Sequence, residues 1–284
     1  MAKDPIIVHS LKDLRLQVWQ WRGQGEVIGY VPTMGALHAG HISLIKIARE
    51  NATKTIASIY VNPTQFAPGE DLDNYPRTTQ EDVEKLALAG CDMVYIPKES
   101  LYYDDHSTSI SVGAVGEGLE TDHRPTFFDG VALVVTKLLN RVAPDLAVFG
   151  EKDYQQLCVI KRLVRDLDLP IKIIGAPIMR DEFGLALSSR NAYFDQSGLT
   201  LARQLNKILY ACADKLLSGE GINNTLRSTQ KLLIDEGFDS VDYLELVDKD
   251  DLTKITQSDF KKPARLLVVV RCKGIRLLDN CTVG

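Results

Sequence analysis

The sequence has few cysteines, and their spacing matches no common disulfide or metal-binding pattern. Its 284 residues include five cysteines, an odd number, and no two of them form a C-x-x-C pair. A disulfide framework or a zinc ribbon requires paired cysteines at regular spacings. The sequence therefore indicates a reducing compartment, and a chain of this length needs no disulfide or metal to fold.

Long apolar runs and an excess of positive charge are lacking as well. No stretch approaches the roughly 18 consecutive apolar residues of a membrane span. The N-terminus has an acid at Asp4, a proline at Pro5 and only a short apolar run, which does not predict a secretory signal. Lys and Arg number 33 against 38 Asp and Glu, a net charge of −5, and a dedicated nucleic-acid binder usually has the opposite balance. We expect a cytoplasmic protein that binds neither membranes nor nucleic acid.

What is present is typical of a globular α/β protein. Hydrophobic residues make up 45% of the chain and charged residues 25%, which excludes long disorder. Short apolar runs predict strands at residues 27–31, 55–61, 93–96, 146–149 and 171–174. Helical patterns lie between them, from about Gly35 and at residues 78–89, 128–142 and 152–166. Thr78 and Glu81 predict a capping box for the helix at 78–89. Strands that alternate with helices predict a parallel sheet wrapped by helices.

The pattern changes after about residue 178. A polar loop at 181–191 is followed by predicted helices at 199–217 and 223–236 and by predicted strands at 241–247, 265–271 and 275–278. This tail predicts a smaller α+β unit. We therefore expect two domains, residues 1–178 and residues 179–284.

The segment PTMGALHAGH, residues 32–41, lies where the first strand passes into a helix. Free N–H groups at a helix start bind phosphate, and Gly35 and Gly40 allow the backbone to approach a ligand closely. His38 and His41 are three residues apart, so both imidazoles can donate to phosphate oxygens on one side. A helix cap with two packed histidines is the alternative. Zinc is less favoured because a third ligand is missing nearby, and the lack of G-x-G-x-x-G weakens a dehydrogenase interpretation.

Two further polar segments follow predicted strands. Asn62 and Gln65 offer neutral amides that orient a hydroxyl or a carboxylate, although a simple turn is the alternative. Lys152 can reach a nucleotide phosphate, and Asp153 can accept from ribose hydroxyls or bind a metal, although a solvated helix start is the alternative. The ends of strands in a parallel sheet are where ligands bind.

A fourth segment, Leu187-Ser188-Ser189-Arg190-Asn191, lies in the loop after the predicted sheet. Its hydroxyls and guanidinium suit a triphosphate, and a polar linker is the alternative. Arg124 is a further potential anion-binding residue. No Ser-His-Asp pattern or nucleophilic cysteine is evident. A reaction in which the protein positions substrates and stabilises charge therefore fits best.

Together these segments resemble a known family. PTMGALHAGH, VNPTQF, FFDGVALVVTKLLNRVAPDLAVFGEKDYQQL and GLALSSRN resemble the signature blocks of the pantothenate synthetase (pantoate–β-alanine ligase) family. They cover about residues 30–195 in the family's order. The part of the chain after residue 195 resembles the family only in its length and general character. H-x-G-H alone is the signature of the wider nucleotidyltransferase superfamily. One departure is Phe183, which stands where the family often has an acidic residue, and it puts the local hydrogen bonding of that loop in question.

The resemblance implies a fold and a reaction. The fold is a Rossmann-like N-terminal domain that binds ATP and pantoate, with a smaller C-terminal lid domain, in a homodimer. The carboxylate of (R)-pantoate attacks the α-phosphate of ATP, pyrophosphate leaves and a pantoyl adenylate forms. The amine of β-alanine then attacks the acyl carbon, giving pantothenate and AMP, and Mg²⁺ accompanies the ATP.

The resemblance also implies roles for individual residues. His41 would be the proton donor and His38 its phosphate-binding partner, with Lys152, Ser188, Ser189 and Arg190 also catalytic. Gln65 would contact pantoate and β-alanine and Gln156 would bind pantoate, and we add Asn62 and Arg124 as substrate-binding residues. Those implied to bind ATP are Met34, Gly35, Ala36, Leu37, His38, Ala39, Gly40, His41, Gly150, Glu151, Lys152, Asp153, Met179, Leu187, Ser188, Ser189 and Arg190.

Two other functions stay open at this point. A plain nucleotidyltransferase would share H-x-G-H but would not need VNPTQF and GEKDYQQL together. A nucleotide-sensing subunit without catalysis would be expected to have lost His41, Lys152 or Arg190, and all three are present.

Overall fold

The computed structural model of the protein describes residues 4–66, 72–98, 100–257 and 263–284. The chain forms two compact units, which are described separately. The first comprises Met1–Glu151 and Val159–Pro177, and the second comprises Lys152–Cys158 and Ile178–Gly284. The second unit thus includes a short segment from the middle of the chain.

A parallel sheet forms the centre of the first unit. Its strands are β1 Ile6–Val8, β2 Ile28–Thr33, β3 Lys54–Ile59, β4 Met93–Tyr95, β5 Leu146–Gly150 and β6 Lys172–Ala176. They lie in the order β1-β4-β3-β2-β5-β6, and neighbouring strands are parallel. The predicted α/β class with a parallel sheet is confirmed. The three-residue strand β1 has no counterpart among the predicted strands.

The helices of this part of the chain connect the strands. They are α1 Leu11–Gly23, α2 Ala39–Asn51, α3 Thr79–Leu88, α4 Glu120–His123, α5 Phe127–Val142 and α6 Tyr154–Asp166. Buried apolar side chains of α2 and α3 pack with those of the central strands in one cluster, which includes Val31, Leu44, Ile45, Ala57, Leu86 and Val148. Their burial explains why the short apolar runs of the sequence become strands.

Strands β2 and β5 are neighbours in the sheet, and successive strands of the chain are added on opposite sides of this pair. From β2 the chain continues to β3 and β4 on one side of the sheet, whereas β6 lies beyond β5 on the other. In open α/β sheets, ligands bind beyond the carboxyl ends of the strands at such a point. Ligands are therefore expected beyond β2 and β5, and the segment that follows β3 lies at the same edge because β3 is the other neighbour of β2.

Two predictions about helix starts are wrong. β2 runs through Pro32 to Thr33, and α2 begins at Ala39 rather than near Gly35, because Gly35 and the next residue have positive φ angles that a helix does not allow. The capping box at Thr78 does not form. Instead the Thr78 hydroxyl donates to Oδ2 of Asp82 at 3.2 Å.

The second unit is a small α+β structure, as the sequence predicts. Its helices are α7 Gln196–Ala202, α8 Gln204–Leu217 and α9 Ile222–Asp235. Its strands β7 Ser240–Asp248, β8 Ala264–Cys272 and β9 Ile275–Val283 form an antiparallel sheet in that order. The helix predicted at 199–217 is two helices that meet at Arg203, and β9 is longer than the strand predicted at 275–278.

None of the helices in the described ranges is both long and apolar enough to cross a membrane.

Candidate active site

The two histidines of the first segment lie together at the start of α2. His38 is the N-cap, and its Nδ1 accepts a hydrogen bond from the backbone N–H of Gly40 at 3.1 Å. The backbone N–H of His38 donates in turn to Nδ1 of His41 at 3.3 Å, and the ring centroids are 4.1 Å apart. Because Nδ1 is the acceptor in both rings, each neutral imidazole carries its proton on Nε2. That N–H can donate to a phosphate oxygen.

The turn before the histidines is fixed by a buried carboxylate. Asp82 on α3 has no exposed surface, and it accepts from the backbone N–H groups of Ala36 at 2.9 Å and Leu37 at 2.8 Å. Gly35 has φ +85° and Ala36 has φ +51°, and a Cβ on Gly35 would lie 3.1 Å from Oδ2 of Asp82. Sequence reasoning missed Asp82 because an acid in the first turn of a helix is typical of a solvent-exposed helix start.

The amides that follow β3 form a second cluster. Asn62 is 1% exposed, and its Nδ2 donates to Oε1 of Gln65 at 3.1 Å and to the carbonyl of Gly130 at 3.3 Å. The Nε2 of Gln65 lies 3.2 Å from the sulfur of Met34. The structure thus brings together residues that follow β2 and β3, which the sequence places in separate segments.

Tyr102 completes this amide cluster. Its hydroxyl donates to Oδ1 of Asn62 at 2.8 Å and lies 3.2 Å from the hydroxyl of Thr64. Burial raises the pKa of Tyr102, so the hydroxyl keeps its proton and remains a donor. No motif in the sequence marks Tyr102, because its contact with Asn62 spans 40 positions of the chain.

Helix α5 approaches the amide cluster through a glycine. A Cβ added at Gly130 would overlap the backbone carbonyl oxygen of Thr64 and lie 2.7 Å from its carbonyl carbon. No side chain fits at that distance, so only glycine allows α5 to pack directly against the turn that contains Gln65.

Arg124 lies beside Gln65 and has several protein partners. Its Nη2 donates to the backbone carbonyl of Gln65 at 2.9 Å, and its Nη1 lies 3.2 Å from Oε1 of Glu120. Its guanidinium carbon is 3.9 Å from the centre of the Phe127 ring. These contacts place Arg124 behind the backbone of the residue predicted to bind pantoate and β-alanine.

The predicted ATP segment at 150–153 is divided between the two units. Gly150 and Glu151 belong to the first unit, and Lys152 begins the segment that belongs to the second. The ammonium of Lys152 lies 3.9 Å from a carboxylate oxygen of Asp153, and these side chains are 20% and 48% exposed. Gln156 lies two residues further into α6 and is partly exposed.

The remaining predicted ATP residues lie on one loop of the second unit. The backbone N–H of Leu187 donates to the carbonyl of Met179 at 2.9 Å. Ser188 follows, and its hydroxyl oxygen accepts from the backbone N–H of Arg190 at 3.3 Å at the start of the 3₁₀ helix Ser189–Tyr193. The loop therefore brings Met179 beside Leu187 and places the serines and the arginine directly after them.

Phe183 does not disrupt the hydrogen bonds of this loop. The backbone N–H groups of Phe183 and Leu185 both donate to Oδ1 of Asp181 at 2.9 Å, and Arg203 donates to Oδ2 at 2.9 Å. The guanidinium carbon of Arg203 lies 4.0 Å from the centre of the Phe183 ring. Burial raises the pKa of Asp181, but these hydrogen bonds outweigh it and lower the pKa below its ordinary value.

The cysteines do not provide a nucleophile. All five are buried free thiols. Burial raises the pKa of Cys91 and of Cys281 to about 12, and that of Cys272 to about 11. A thiol with so high a pKa is protonated at neutral pH and does not attack.

A family model described as pantoate-beta-alanine ligase matches residues 6–282. The chain belongs to the pantoate–β-alanine ligase family. Pantothenate synthetase of Mesorhizobium japonicum is 49% identical to it over 280 residues, 98% of each chain. Pantothenate synthetase of Caulobacter vibrioides is 46% identical over 282 residues, 99% of each chain.

Solved structures of pantoate–β-alanine ligases have the same fold. Pantothenate synthetase from Thermus thermophilus is 38% identical, with a TM-score of 0.91 over 98% of this chain and 99% of that chain. Pantoate–β-alanine ligase from Francisella tularensis, complexed with β-γ ATP and β-alanine, is 33% identical, with a TM-score of 0.82 over 98% and 97%.

These comparisons confirm that the four sequence blocks mark a pantoate–β-alanine ligase. They also confirm its assignment as an enzyme. The roles of individual residues, the nucleotidyltransferase meaning of H-x-G-H and the two domain ranges stay predictions. Among the described residues, no group of three or more His, Cys, Asp or Glu side chains is arranged to hold a metal ion.

Proposed function

We propose that the protein condenses (R)-pantoate with β-alanine to give pantothenate, AMP and pyrophosphate, through a pantoyl adenylate. The match of residues 6–282 to the pantoate–β-alanine ligase family carries this proposal. The Francisella ligase, complexed with β-γ ATP and β-alanine, supports ATP as the co-substrate. The family assignment favours this function over a plain nucleotidyltransferase or a nucleotide sensor.

The turn at residues 34–41 is proposed to bind the phosphates of ATP. Four backbone N–H groups of this turn already donate to Asp82, His38 or His41, so the Nε2–H groups of the two histidines are the donors proposed for phosphate. Negative charge on the phosphate oxygens increases while the carboxylate of pantoate attacks. Donors fixed in advance stabilise that charge without reorganisation in the transition state. His41, as the proton donor, acts by donating a hydrogen bond from Nε2.

The amide cluster is proposed to bind pantoate. Gln65 is oriented by Asn62 on one side and Met34 on the other, so its amide presents a defined direction. A neutral amide pairs with a hydroxyl or a carboxylate without neutralising the nucleophile. Gln156 has the same chemistry and is proposed to bind pantoate, while Arg124 acts through the backbone of Gln65.

Residues of the second unit are proposed to contact the rest of the nucleotide. Lys152 would neutralise phosphate charge, Met179 would contact adenine through its backbone, and Leu187, Ser188, Ser189 and Arg190 would contact the phosphates. Gly150, Glu151 and Asp153 complete the predicted ATP residues. A lid role for residues 179–284 and assembly as a homodimer in the cytoplasm belong to the same proposal.

Mg²⁺ is proposed to arrive with ATP. Mg²⁺ takes oxygen ligands, keeps several waters and is usually bound by substrate phosphates with one or two carboxylates. Asp153, whose side chain is 48% exposed and lies beside Lys152, fits that requirement. The ion would neutralise phosphate charge during the attack.

The adenylate is proposed because the cysteines offer no acyl carrier. All five are buried, and burial raises the pKa of Cys91, Cys212, Cys272 and Cys281. Pantoate's carboxylate is a poor acylating group until it is activated. Two half-reactions follow, and the first should run alone. Labelled pyrophosphate should enter ATP when enzyme, Mg²⁺ and pantoate are present and β-alanine is absent.

The controls of this exchange experiment separate the alternatives. Exchange should stop when pantoate is omitted, since nothing else supplies the attacking carboxylate. Exchange that ignores pantoate would indicate a plain nucleotidyltransferase, and no exchange would indicate a sensor. Exchange that strictly requires β-alanine would overturn the free adenylate.

A further inference from the structure

Two adjacent polar residues are buried in β9, the last strand of the second unit. Asp279 is 3% exposed and Asn280 is 2% exposed. Neighbours of Asp279 on the same face of the strand, Leu277 and Cys281, belong to the apolar core of this unit. An apolar residue would continue that face at position 279. A buried carboxylate and amide are costly unless their hydrogen bonds are made, so their partners are informative.

Asn280 connects the sheet to the carbonyl of Lys152. Its Nδ2 donates to that oxygen at 2.8 Å, and its Oδ1 accepts from Nε of Arg265 at 2.7 Å. The guanidinium of Arg265 lies over the ring of Tyr154, 4.2 Å from its centre. The hydroxyl of Tyr154 donates to the carbonyl of Lys249 at 2.9 Å. The segment that begins with Lys152 is therefore fixed at its backbone and through the aromatic ring that follows.

Asp279 connects the sheet to the loop that contains Met179. Its two carboxylate oxygens accept from Nη1 and Nη2 of Arg180 at 2.7 and 2.8 Å. Nη1 of Arg180 also donates to the carbonyl of Gly184 at 3.0 Å, across the turn of the loop. Gly184 has φ +94°, a conformation that glycine adopts readily. The bidentate pair thus fixes both the start of the loop and its turn.

We infer that Asp279 and Asn280 are positioning residues for ATP: one fixes the loop of Met179 and Arg190, and the other fixes the backbone of Lys152. Successive side chains of a strand point to opposite faces, so adjacent residues can reach two different segments. Neither residue needs to touch the substrate. This inference rests on the proposed function, because it takes Lys152 and the loop to contact the nucleotide.

The test uses two nearly isosteric substitutions in the full-length enzyme. Asn280→Asp keeps an acceptor for Arg265 but cannot donate to the carbonyl of Lys152. Asp279→Asn keeps the volume but loses the bidentate pair with Arg180. Losing a hydrogen bond to a charged or buried partner predicts that each variant raises KM for ATP by about 10-fold or more. We expect KM for pantoate to be unchanged in Asp279→Asn. In Asn280→Asp it should rise less than KM for ATP, since Gln156 follows Lys152 in the same segment.

A matched control lies in the same sheet. Asp242 on β7 pairs with Arg276 on β9 at 2.7 Å, with side chains 11% and 16% exposed. This pair joins two strands of the sheet to each other, whereas the pairs of Asp279 and Asn280 join the sheet to the predicted ATP segments. Asp242→Asn should lower the midpoint of thermal unfolding and leave KM for ATP at the wild-type value. Pyrophosphate exchange by the wild type, dependent on pantoate, tests the proposed function separately.

The outcomes are distinct. A selective rise in KM for ATP in both folded variants, absent in Asp242→Asn, supports the inference. Wild-type KM for ATP in a folded Asn280→Asp or Asp279→Asn protein overturns it, as does an equal rise for ATP and pantoate. If one variant does not fold, the result of the other decides. If Asp279→Asn is the one that does not fold, Arg180→Lys takes its place, because it also removes the bidentate pair.

Discussion

The carboxylate of Asp82 accepts a hydrogen bond from the backbone N–H of Ala36 at 2.9 Å, across 46 positions of the chain. A residue of α3 therefore determines the conformation of the turn that precedes the histidine pair. Ala36 has φ +51°, which a residue with a side chain adopts only when its surroundings require it. The same carboxylate accepts from Leu37 at 2.8 Å, so the turn has little freedom.

Replacing Asp82 should destabilise the protein and weaken ATP use. Asp82→Ala leaves the buried N–H of Leu37 and the partly buried N–H of Ala36 without their acceptor, and a buried unsatisfied donor costs about 1–3 kcal/mol in the free energy of unfolding. Urea unfolding and KM for ATP should both change. Glu81→Gln is the matched control, since the Glu81 side chain is 68% exposed and lies in the same helical turn. An Asp82→Ala protein with wild-type stability would contradict this account of the turn.

Replacing His41 should reduce turnover without unfolding the protein. His41→Ala removes a donor that we propose for the developing phosphate charge, and such a loss typically costs about 10²–10³ in kcat. Pantoate-dependent pyrophosphate exchange should fall in parallel. His9→Gln serves as the control, since Nδ1 of His9 contacts the carbonyl of Ile96 at 2.7 Å, away from α2. Near-normal turnover in a folded His41→Ala enzyme would remove His41 from the mechanism.

Removing the Tyr102 hydroxyl should weaken the use of pantoate. Tyr102→Phe eliminates the 2.8 Å hydrogen bond to Asn62. A neutral hydrogen bond contributes about 0.5–1.5 kcal/mol, so kcat/KM for pantoate should fall roughly 2- to 10-fold. KM for ATP should stay constant. Tyr103→Phe is the control, because Tyr103 is 67% exposed, and an equal loss in both variants would exclude this role for Tyr102.

Asp181 should make the free energy of unfolding depend on pH in the acid range. Its folded-state pKa is below the ordinary value of 3.8, because hydrogen bonds from Leu185 and Arg203 outweigh the effect of burial. The unfolded chain therefore takes up the proton first as the pH falls. Its stabilising contribution is complete above the ordinary pKa and is lost as the pH decreases through the folded-state pKa. Thermal unfolding of wild type and Asp181→Asn should differ at pH 7 and converge in strong acid, and Glu182→Gln, at an exposed neighbouring position, is the control variant.

The sequence predicts those strands whose position depends mainly on the burial of their own side chains. β2, β3 and β5 are largely buried and lie in short runs of mostly apolar residues, so their positions are predicted within a few residues. The start of α2 is not predictable in this way. The conformation of the turn before α2 depends on hydrogen bonds to Asp82, which lies 46 positions away from Ala36. A local sequence pattern cannot predict such a distant contact.

The same distinction applies to the site. His38, His41, Asn62 and Gln65 could be selected because each follows a predicted strand. Tyr102 and Asn280 could not, since their contacts with Asn62 and Lys152 span 40 and 128 positions. The strand predicted at 275–278 is too short for a related reason. Asp279 and Asn280 interrupt the apolar pattern of β9, and only their partners explain why polar residues are tolerated there.

The glycine at position 130 has a consequence for changing the enzyme's acid substrate. The α5 backbone is so close to Thr64 that one added carbon would displace the turn, and the carbonyl of Gly130 is itself a partner of Asn62. Gln65 would move with that turn. On the proposed role of the amide cluster in binding pantoate, changing the spacing between α5 and the turn of Thr64 should therefore alter which hydroxy acids the enzyme accepts, without replacing Asn62 or Gln65.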